Sequence, residues 1–411
     1  MVQTLHNFRM VCPGATLYRD RHICEECINC PNSCGRNVAD SCVCGKNADS
    51  LSSNCCQCSC GKNTVKSARK ASTRGNSMCA KNCYLPAISH ACYRGSRLQT
   101  AAVVLSLQLQ KMSGIWGKVH YICLTDFNKE KLMSLNVGKK ALIPASHIHV
   151  KPNFTPGIPY SDASKCQTAN QHSGADACLA ANLHASSNEC TVANSHPGFG
   201  AFSADDYHSD MSDRSAESVA LRTVEHLRTM GISQDTKYYL ALGRLERIKG
   251  THLIVKAFAR NGKTLVMAGS GEQEEEIKKY LQKHHITNIH LAGQLPHEDA
   301  MKLLSKAEAL VICPQWYETF GMNVIEAFSI GIPVISNDIG NAAELVKDGV
   351  TGTKCENTVA GLCEAVERFE TLDRTELSAN AHRSYEESYS EDKNYEQLMS
   401  IYESVVARTR S

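Results

Sequence analysis

The chain has 411 residues, 42% of them hydrophobic, and its 44 Lys and Arg residues nearly balance its 42 Asp and Glu residues. This length accommodates two or three domains with a sizeable core, and the near-neutral charge argues against nucleic acid as a partner. No apolar run reaches the ~18–20 residues of a membrane span, and "MVQTLHNFRMVCPGA" lacks a secretory signal pattern, so we expect a cytoplasmic protein.

The first part of the chain contains pieces of an α/β domain. "VQTLHN" predicts the end of a strand, and "SRLQTAAVVLSLQLQKMSG" predicts a helix with Ser96 as its N-cap. "HYICLTDFNKEKLMSL" predicts strand, turn and helix, and "IHVKPNF" predicts a strand that enters a loop. These elements are too few to close a domain, so we expect residues 1–28 and 84–155 to form a partial Rossmann-like domain.

Two stretches break this pattern. Residues 29–83 are rich in Asn, Ser, Gly, Lys and Cys, and 14 of the 21 cysteines precede residue 93. Residues 156–216 are rich in Ser, Ala, Asp, Asn and His. Neither stretch has apolar periodicity, which is typical of disorder or of segments held by cysteine chemistry. We therefore expect a Cys-rich insertion over 29–83 and a low-complexity insertion and linker over 156–235.

The second half alternates buried strands with helices. Unbroken apolar runs such as "YYLALG", "TLVMAG", "NIHLAG", "ALVICP" and "PVISND" are separated by helical segments. Such strands predict a parallel sheet covered on both faces. We expect a doubly wound Rossmann-like domain over residues 236–390, with ligands beyond the carboxyl ends of its strands, and a final helix over 391–411.

The stretch "ETFGMNVIE" places two carboxylates around a glycine turn that opens a helix. Gly321 allows a close approach to a ligand, and the first N–H groups of the helix, at Met322 and Asn323, favour an anion. Glu318 and Glu326 could accept hydrogen bonds from sugar hydroxyls on either side of that anion. The alternative, which the spacing leaves equally open, is two solvated surface carboxylates.

Two further loops lie at the same predicted edge of the sheet. Arg244 and Lys249 follow the strand at Tyr238, and a guanidinium with an ammonium suits a diphosphate, although both could be ordinary surface bases. "MAGSGEQEE" places Gly269 and Gly271 at another strand end. A lone G-x-G is weak support.

Taken together, "GRLERIKG", "AGSGE" and "YETFGMNVIEAFSIGIPVISNDIGNAAELVKDGVTG" resemble the nucleotide-sugar domain of retaining GT-B glycosyltransferases of family four, the glycosyl transferases group 1. The resemblance covers residues 237–370, and the E-x7-E signature is Glu318 to Glu326. "TLHNFRMVCPGA", "CYRGSRLQTA", "LTDFNKEKL" and "VKPNF" resemble the acceptor-side domain of bacterial members. Family members have further βα units before "TLHN", so the resemblance implies an incomplete amino-terminal domain in a two-domain GT-B fold.

The resemblance also implies roles for individual residues. His6 and Glu318 would be catalytic, Glu318 facing the donor sugar and Glu326 the ribose, while Arg244 and Lys249 neutralise the diphosphate. The sequence alone favours a structural role for His6 at a strand end, and the resemblance reverses that preference. The full donor-binding set that we expect is Gly243, Arg244, Lys249, Gly269, Glu318, Phe320, Gly321, Met322, Asn323, Val324 and Glu326.

The family implies a nucleoside-diphosphate sugar as donor and a sugar or glycolipid as acceptor. Catalysis would be electrostatic, without a required metal cofactor. A glycolipid acceptor would bring peripheral membrane contact and a location at the inner face of the membrane.

Four cysteines outside the insertion have a spacing known from structural zinc sites. Cys24 and Cys27 form a C-x2-C pair, and Cys12 and Cys92 provide two more thiols. Structural zinc and reduced core thiols both fit this pattern.

Three functions compete at this stage. The first is a glycosyltransferase with retention of configuration, in polysaccharide or glycoconjugate synthesis. The second is an inactive, truncated remnant that only binds nucleotide, and the third is a sugar-nucleotide epimerase of GT-B fold. The donor motifs favour the first function, whereas the short amino-terminal part favours the second.

Overall fold

The computed structural model describes residues 1–25, 27–28, 84–137, 140–157, 225, 227–233 and 235–410. The predicted insertions, residues 29–83 and most of 156–235, lie outside the described residues. Within the described ranges, no helix is both long and apolar enough to cross a membrane.

The amino-terminal half contains a three-stranded parallel sheet and two short antiparallel hairpins. The strands are β1 (Val2–Thr4), β2 (Tyr18–Arg19), β3 (His22–Ile23), β4 (His120–Cys123), β5 (Asn136–Val137), β6 (Lys140–Ala141) and β7 (Ile148–Val150). The helices are α1 (Leu85–Ser89), α2 (Arg97–Met112) and α3 (Asp126–Met133). The parallel sheet has the order β1-β4-β7, and the hairpins pair β2 with β3 and β5 with β6.

The carboxyl-terminal half contains a six-stranded parallel sheet. Its strands are β8 (Tyr239–Leu242), β9 (Leu265–Ala268), β10 (Ile289–Gly293), β11 (Leu310–Ile312), β12 (Val334–Asn337) and β13 (Gly352–Cys355). Its helices are α4 (Thr251–Asn261), α5 (Glu274–Lys283), α6 (His297–Ser305), α7 (Met322–Ser329), α8 (Gly340–Leu345) and α9 (Val359–Glu370). Two longer helices follow, α10 (Arg374–Ser388) and α11 (Glu391–Arg410).

The order of this sheet, β10-β9-β8-β11-β12-β13, creates a crevice between β8 and β11. After β8 the chain adds β9 and β10 on one side. It then crosses back to β11, on the other side of β8, and adds β12 and β13 there. Successive strand residues enter opposite cores: Leu240 and Val266 pack on one face, whereas Tyr239 and Leu265 pack on the other. Both faces are therefore buried, as the unbroken apolar strands predict. The α/β class with two parallel sheets is confirmed.

Polar contacts join the two halves where α3 meets α8. The Glu344 carboxylate accepts hydrogen bonds from the backbone N–H groups of Asp126 (3.0 Å) and Phe127 (2.9 Å) at the start of α3. Asn341, which is fully buried, donates to the side chain of Asn128 at 2.9 Å and accepts from the Thr125 hydroxyl. The amino-terminal half is thus hydrogen-bonded directly to the half that contains the crevice.

The carboxyl-terminal helices also return to the amino-terminal half. The Tyr385 hydroxyl of α10 donates to the backbone carbonyl of Thr155 at 3.0 Å. From α11, the side chains of Asn394 and Arg408 donate to the carbonyls of Pro152 (2.8 Å) and Ser146 (2.9 Å). The end of the chain thereby supports the segment around β7.

Candidate functional site

A cavity of about 610 Å³ lies at the carboxyl ends of β8 and β11. This is where ligands bind in open α/β sheets, and the volume is in the range of small-molecule sites. Nine of the eleven predicted donor-binding residues line it: Gly243, Arg244, Lys249, Glu318, Phe320, Gly321, Met322, Asn323 and Glu326.

Gly269 and Val324 are not among the lining residues of this cavity. Val324 belongs to α7, and its side chain is fully buried in the core. At Gly269, a Cβ atom would lie 1.9 Å from the carbonyl oxygen of Gly243, so glycine there permits two strand ends to approach closely. The structure therefore gives these two positions a packing role.

Lys249 and Glu318 form an ion pair inside the cavity. The Lys249 Nζ lies 2.7 Å from Glu318 Oε1, and the indole N–H of Trp316 donates to the same oxygen at 2.9 Å. Only 17% of the Glu318 side chain is exposed. The carboxylate is therefore held in place by two partners, and a solvated surface Glu318 is excluded.

The start of α7 has the geometry that the sequence predicts for an anion-binding element. Gly321 has a φ of +132°, which favours glycine, and no side chain caps the helix start. Met322 and Asn323 of the first turn line the cavity, and Asn323 Nδ2 donates to the Leu242 carbonyl at 3.4 Å. This bond connects the helix start to the end of β8.

Glu326 is partly buried in the wall of the cavity, one turn further along α7. Burial raises the pKa of its carboxyl group, while the charge of His297 acts in the opposite direction. His297, the first residue of α6, also lines the cavity. Sequence analysis missed this histidine, although the "QLPHEDA" loop follows β10 and so reaches the same edge of the sheet.

The second predicted base, Arg244, lies at the rim. Its side chain is 62% exposed, and its guanidinium contacts the carboxylate of Glu246. Arg244 and Lys249 are thus on the same side of the sheet, as expected, but only Lys249 contacts Glu318.

A second, small cavity of about 20 Å³ lies between the two halves. Asn7, Phe8, Asn128 and Lys131 line it, together with Thr319, which also lines the large cavity. The two cavities are therefore neighbours. His6 is exposed at the end of β1 and lines neither of them, although the adjacent Asn7 does.

The junction between the halves also reaches the Glu318 loop. Asn341 Nδ2 donates to the backbone carbonyl of Glu318, and Asn128 Nδ2 donates to that of Thr319 at 3.0 Å. These contacts fix the loop that carries the carboxylate. Sequence reasoning could not find the contact between Asn128 and Thr319, because it connects residues 191 positions apart.

The four predicted zinc cysteines come near one another in the amino-terminal half. Cys27 is buried, and Cys12 and Cys92 pack against the same core. Burial raises the pKa of the Cys27 thiol, and the neighbouring Cys12, Cys92 and Cys24 raise it further. Within the described ranges, however, no three His, Cys, Asp or Glu side chains form a group that could hold a metal ion. The zinc site therefore stays a prediction.

Comparisons with known proteins agree with the donor motifs. Residues 225–385 match the family model "Glycosyl transferases group 1". Over 134 residues, 31% of this chain, it is 37% identical to a glycogen synthase of Mycobacterium tuberculosis, of which the match covers 32%. Over 170 residues, 40% of this chain, it is 25% identical to the O-antigen chain mannosyltransferase C of Escherichia coli, of which 46% is covered. The chain thus spans less than half the length of each of these relatives.

Among solved structures, a glycosyltransferase from Rickettsia africae superposes with a TM-score of 0.48 at 14% identity, covering 70% of this chain and 63% of its own.

Proposed function

Because residues 225–385 belong to the glycosyl transferases group 1 family, we propose that this protein transfers a sugar from a nucleoside-diphosphate sugar to an acceptor hydroxyl. The supporting observation is the 610 Å³ cavity, which combines a cation, an open helix start and two carboxylates. A diphosphate with a sugar on each side carries groups complementary to all three.

In this proposal the diphosphate lies at the start of α7, next to Lys249, with Arg244 at the rim. The Lys249 ammonium turns from Glu318 towards the phosphates, which frees Glu318 to accept hydrogen bonds from the donor sugar. Glu326 accepts from the ribose hydroxyls, and a charged carboxylate strengthens such bonds. The phosphates then replace Glu318 as the partner of the Lys249 charge.

The reaction we propose retains the configuration of the sugar. The bond from the anomeric carbon to the diphosphate breaks, a bond to the acceptor oxygen forms on the same face, and the acceptor proton leaves with the diphosphate. Lys249 and the helix start stabilise the charge that develops on the leaving group, so the step requires no metal cofactor.

The acceptor, a sugar or a glycolipid, would approach the large cavity from the side of the amino-terminal half, next to Thr319. Asn7 lies at this junction, and we propose that the exposed His6 beside it faces the donor sugar. We propose a role in polysaccharide or glycoconjugate synthesis.

The test is incubation of the full chain with UDP-, GDP- and ADP-sugars and a panel of sugar and glycolipid acceptors. Release of nucleoside diphosphate, with an unchanged anomeric configuration of the product by NMR, is the expected result. An inverted product would refute retention. A chain that binds nucleotide but releases none with any donor would support the binding-only alternative instead.

A further inference from the structure

Three residues form a closed ring of hydrogen bonds at the junction between the halves. The Thr125 hydroxyl donates to Asn341 Oδ1, and Asn341 Nδ2 donates to Asn128 Oδ1 at 2.9 Å. The backbone N–H of Asn128 donates back to the Thr125 hydroxyl at 3.1 Å. We call these three residues the polar ring. Two of them lie at the start of α3 in the amino-terminal half, and the third lies in α8.

The polar ring is buried and its side chains are paired. Thr125 is 4% exposed and Asn341 is fully buried. The Asn341 amide donates to Asn128 and to the backbone carbonyl of Glu318, and it accepts from Thr125, so both its nitrogen and its oxygen have partners. A buried polar network that is satisfied in this way favours one arrangement, because any other leaves buried groups unpaired.

The polar ring holds two consecutive carbonyls of the loop between β11 and α7. Asn341 Nδ2 donates to the carbonyl of Glu318, and Asn128 Nδ2 donates to that of Thr319 at 3.0 Å. The next residue, Phe320, is 2% exposed and packs in the core. The backbone of the loop is thus anchored at three consecutive residues, while Glu318 lines the large cavity.

These backbone contacts gain importance when a donor is bound. The Glu318 carboxylate has two partners, Lys249 and Trp316. In the proposed function Lys249 turns towards the phosphates, so the carboxylate keeps only Trp316. Its position then depends mainly on the backbone that carries it. A misplacement of about 1 Å at a reacting centre can lower the rate by about 100-fold.

We propose that Thr125, Asn128 and Asn341 are positioning residues that hold Glu318 against the donor sugar. This inference rests on the proposed function and extends it, because the amino-terminal half then contributes to turnover through the polar ring. None of the three residues lines the large cavity. Loss of the polar ring therefore lowers kcat but leaves the affinity for nucleoside diphosphate unchanged.

The first experiment observes the position of the loop without any reaction. The chain contains two tryptophans, Trp116 and Trp316, so its ¹H–¹⁵N NMR spectrum has two indole signals. The Trp316 indole donates to Glu318, whereas Trp116 lies in the amino-terminal core. We expect Asn128→Ala and Thr125→Val to shift the Trp316 signal and to leave the Trp116 signal in place. Thr125→Ser keeps the hydroxyl and should restore the original signal.

Two control variants separate positioning from a general loss of contacts. Asn288 Nδ2 also donates to two backbone carbonyls, those of Phe258 (2.9 Å) and Lys263 (2.6 Å), but Asn288 does not line the cavity. Asn288→Ala should therefore leave the Trp316 signal and kcat unchanged. Glu344 joins the halves at the same junction through the start of α3. Glu344→Ala should move the Trp316 signal less than Asn128→Ala does.

The second experiment is steady-state kinetics of the full chain with a donor that it uses. Asn128→Ala and Thr125→Val should lower kcat by about tenfold or more, while the Kd of UDP or GDP stays within about twofold. Thr125→Ser should retain most of the activity. Asn128→Ala should cost less in a Glu318→Gln background than alone, because residues that act through one another are not additive.

An unchanged Trp316 signal in both Asn128→Ala and Thr125→Val would overturn the proposal. So would an equal shift in Asn288→Ala or Glu344→Ala, or a loss of nucleotide affinity as large as the loss of kcat. If the chain uses no donor, the proposed function fails by itself. The Trp316 signal then still decides whether the polar ring holds the Glu318 loop.

Discussion

Glu318 and Glu326 lie in one cavity but in different surroundings. Glu318 is held by Lys249 and Trp316, and its position depends on Asn341. At Glu326, burial raises the pKa more than the charge of His297 lowers it. Removal of the charge should therefore affect activity differently at the two positions.

We expect Glu318→Gln to lower kcat more than it raises the donor KM, because charge near the reacting carbon matters most in the transition state. Glu326→Gln should chiefly weaken donor binding, by the roughly 1.5–3 kcal/mol of a charge-assisted hydrogen bond. Steady-state kinetics and donor titration by calorimetry measure both effects. Changes within about twofold on both constants for both variants would contradict these roles.

Glu326→Gln should also change the pH dependence of stability. Because the pKa of Glu326 is raised in the folded chain, the folded state keeps this proton at pH values where the unfolded chain has lost it. Stability therefore falls as pH rises from the ordinary carboxyl range through the raised value, and a glutamine avoids that loss. We expect the variant to have the higher Tm at about pH 7 and an equal Tm at about pH 3. Equal Tm values at both pH values would contradict the burial effect.

Lys249→Ala should weaken binding of nucleoside diphosphate by roughly 1–3 kcal/mol if the ammonium contacts the phosphates. Lys263→Ala is the matched control, because Lys263 also forms a 2.7 Å ion pair, with Glu370, but does not line the cavity. Calorimetric titration of UDP and GDP measures the difference. Equal affinities of the two variants would remove Lys249 from the diphosphate site.

The zinc prediction for Cys12, Cys24, Cys27 and Cys92 is tested by metal analysis of the purified chain. If these thiols bind zinc, the chain should carry about one zinc ion, which Cys24→Ser abolishes; a chain without zinc would leave them as reduced core thiols. Cys363→Ser, a buried cysteine of α9, is the control and should retain the metal. An unchanged zinc content in both variants would mean that other residues bind the metal.

At the scale of elements, helix α3 is capped by a residue from the other half of the molecule. The Glu344 carboxylate accepts from two N–H groups at the positive end of that helix. Glu344→Ala should therefore cost about 1 kcal/mol and speed hydrogen exchange at the amides of Asp126 and Phe127.

The control for this cap is Asp373→Ala. Asp373 accepts from the N–H groups of Thr375 and Glu376 within its own helix start, so it should lower stability without affecting exchange in α3. If both variants leave the Asp126 and Phe127 amides equally protected, the halves are not held by this cap.

The strands and helices that sequence predicted share one property, a buried apolar run long enough to show its period. β8 to β12 and α2 to α7 were predicted for this reason. The hairpin β2–β3 was missed because two-residue strands have no period. The contact between Thr125 and Asn341 was missed because it spans 216 residues. Which residues meet over such a separation depends on how the whole fold packs. The cavity was predictable because strand ends of a parallel sheet share one edge.

At the scale of the whole molecule, the return of α10 and α11 to the amino-terminal half has a consequence for biosynthesis. The carbonyls of Ser146, Pro152 and Thr155 are made early, but the side chains that bind them, on Arg408, Asn394 and Tyr385, leave the ribosome after both sheets. The six-stranded sheet can be complete at that moment, whereas the segment around β7 still lacks these partners. The segment around β7, which is made first, therefore acquires these three hydrogen bonds last.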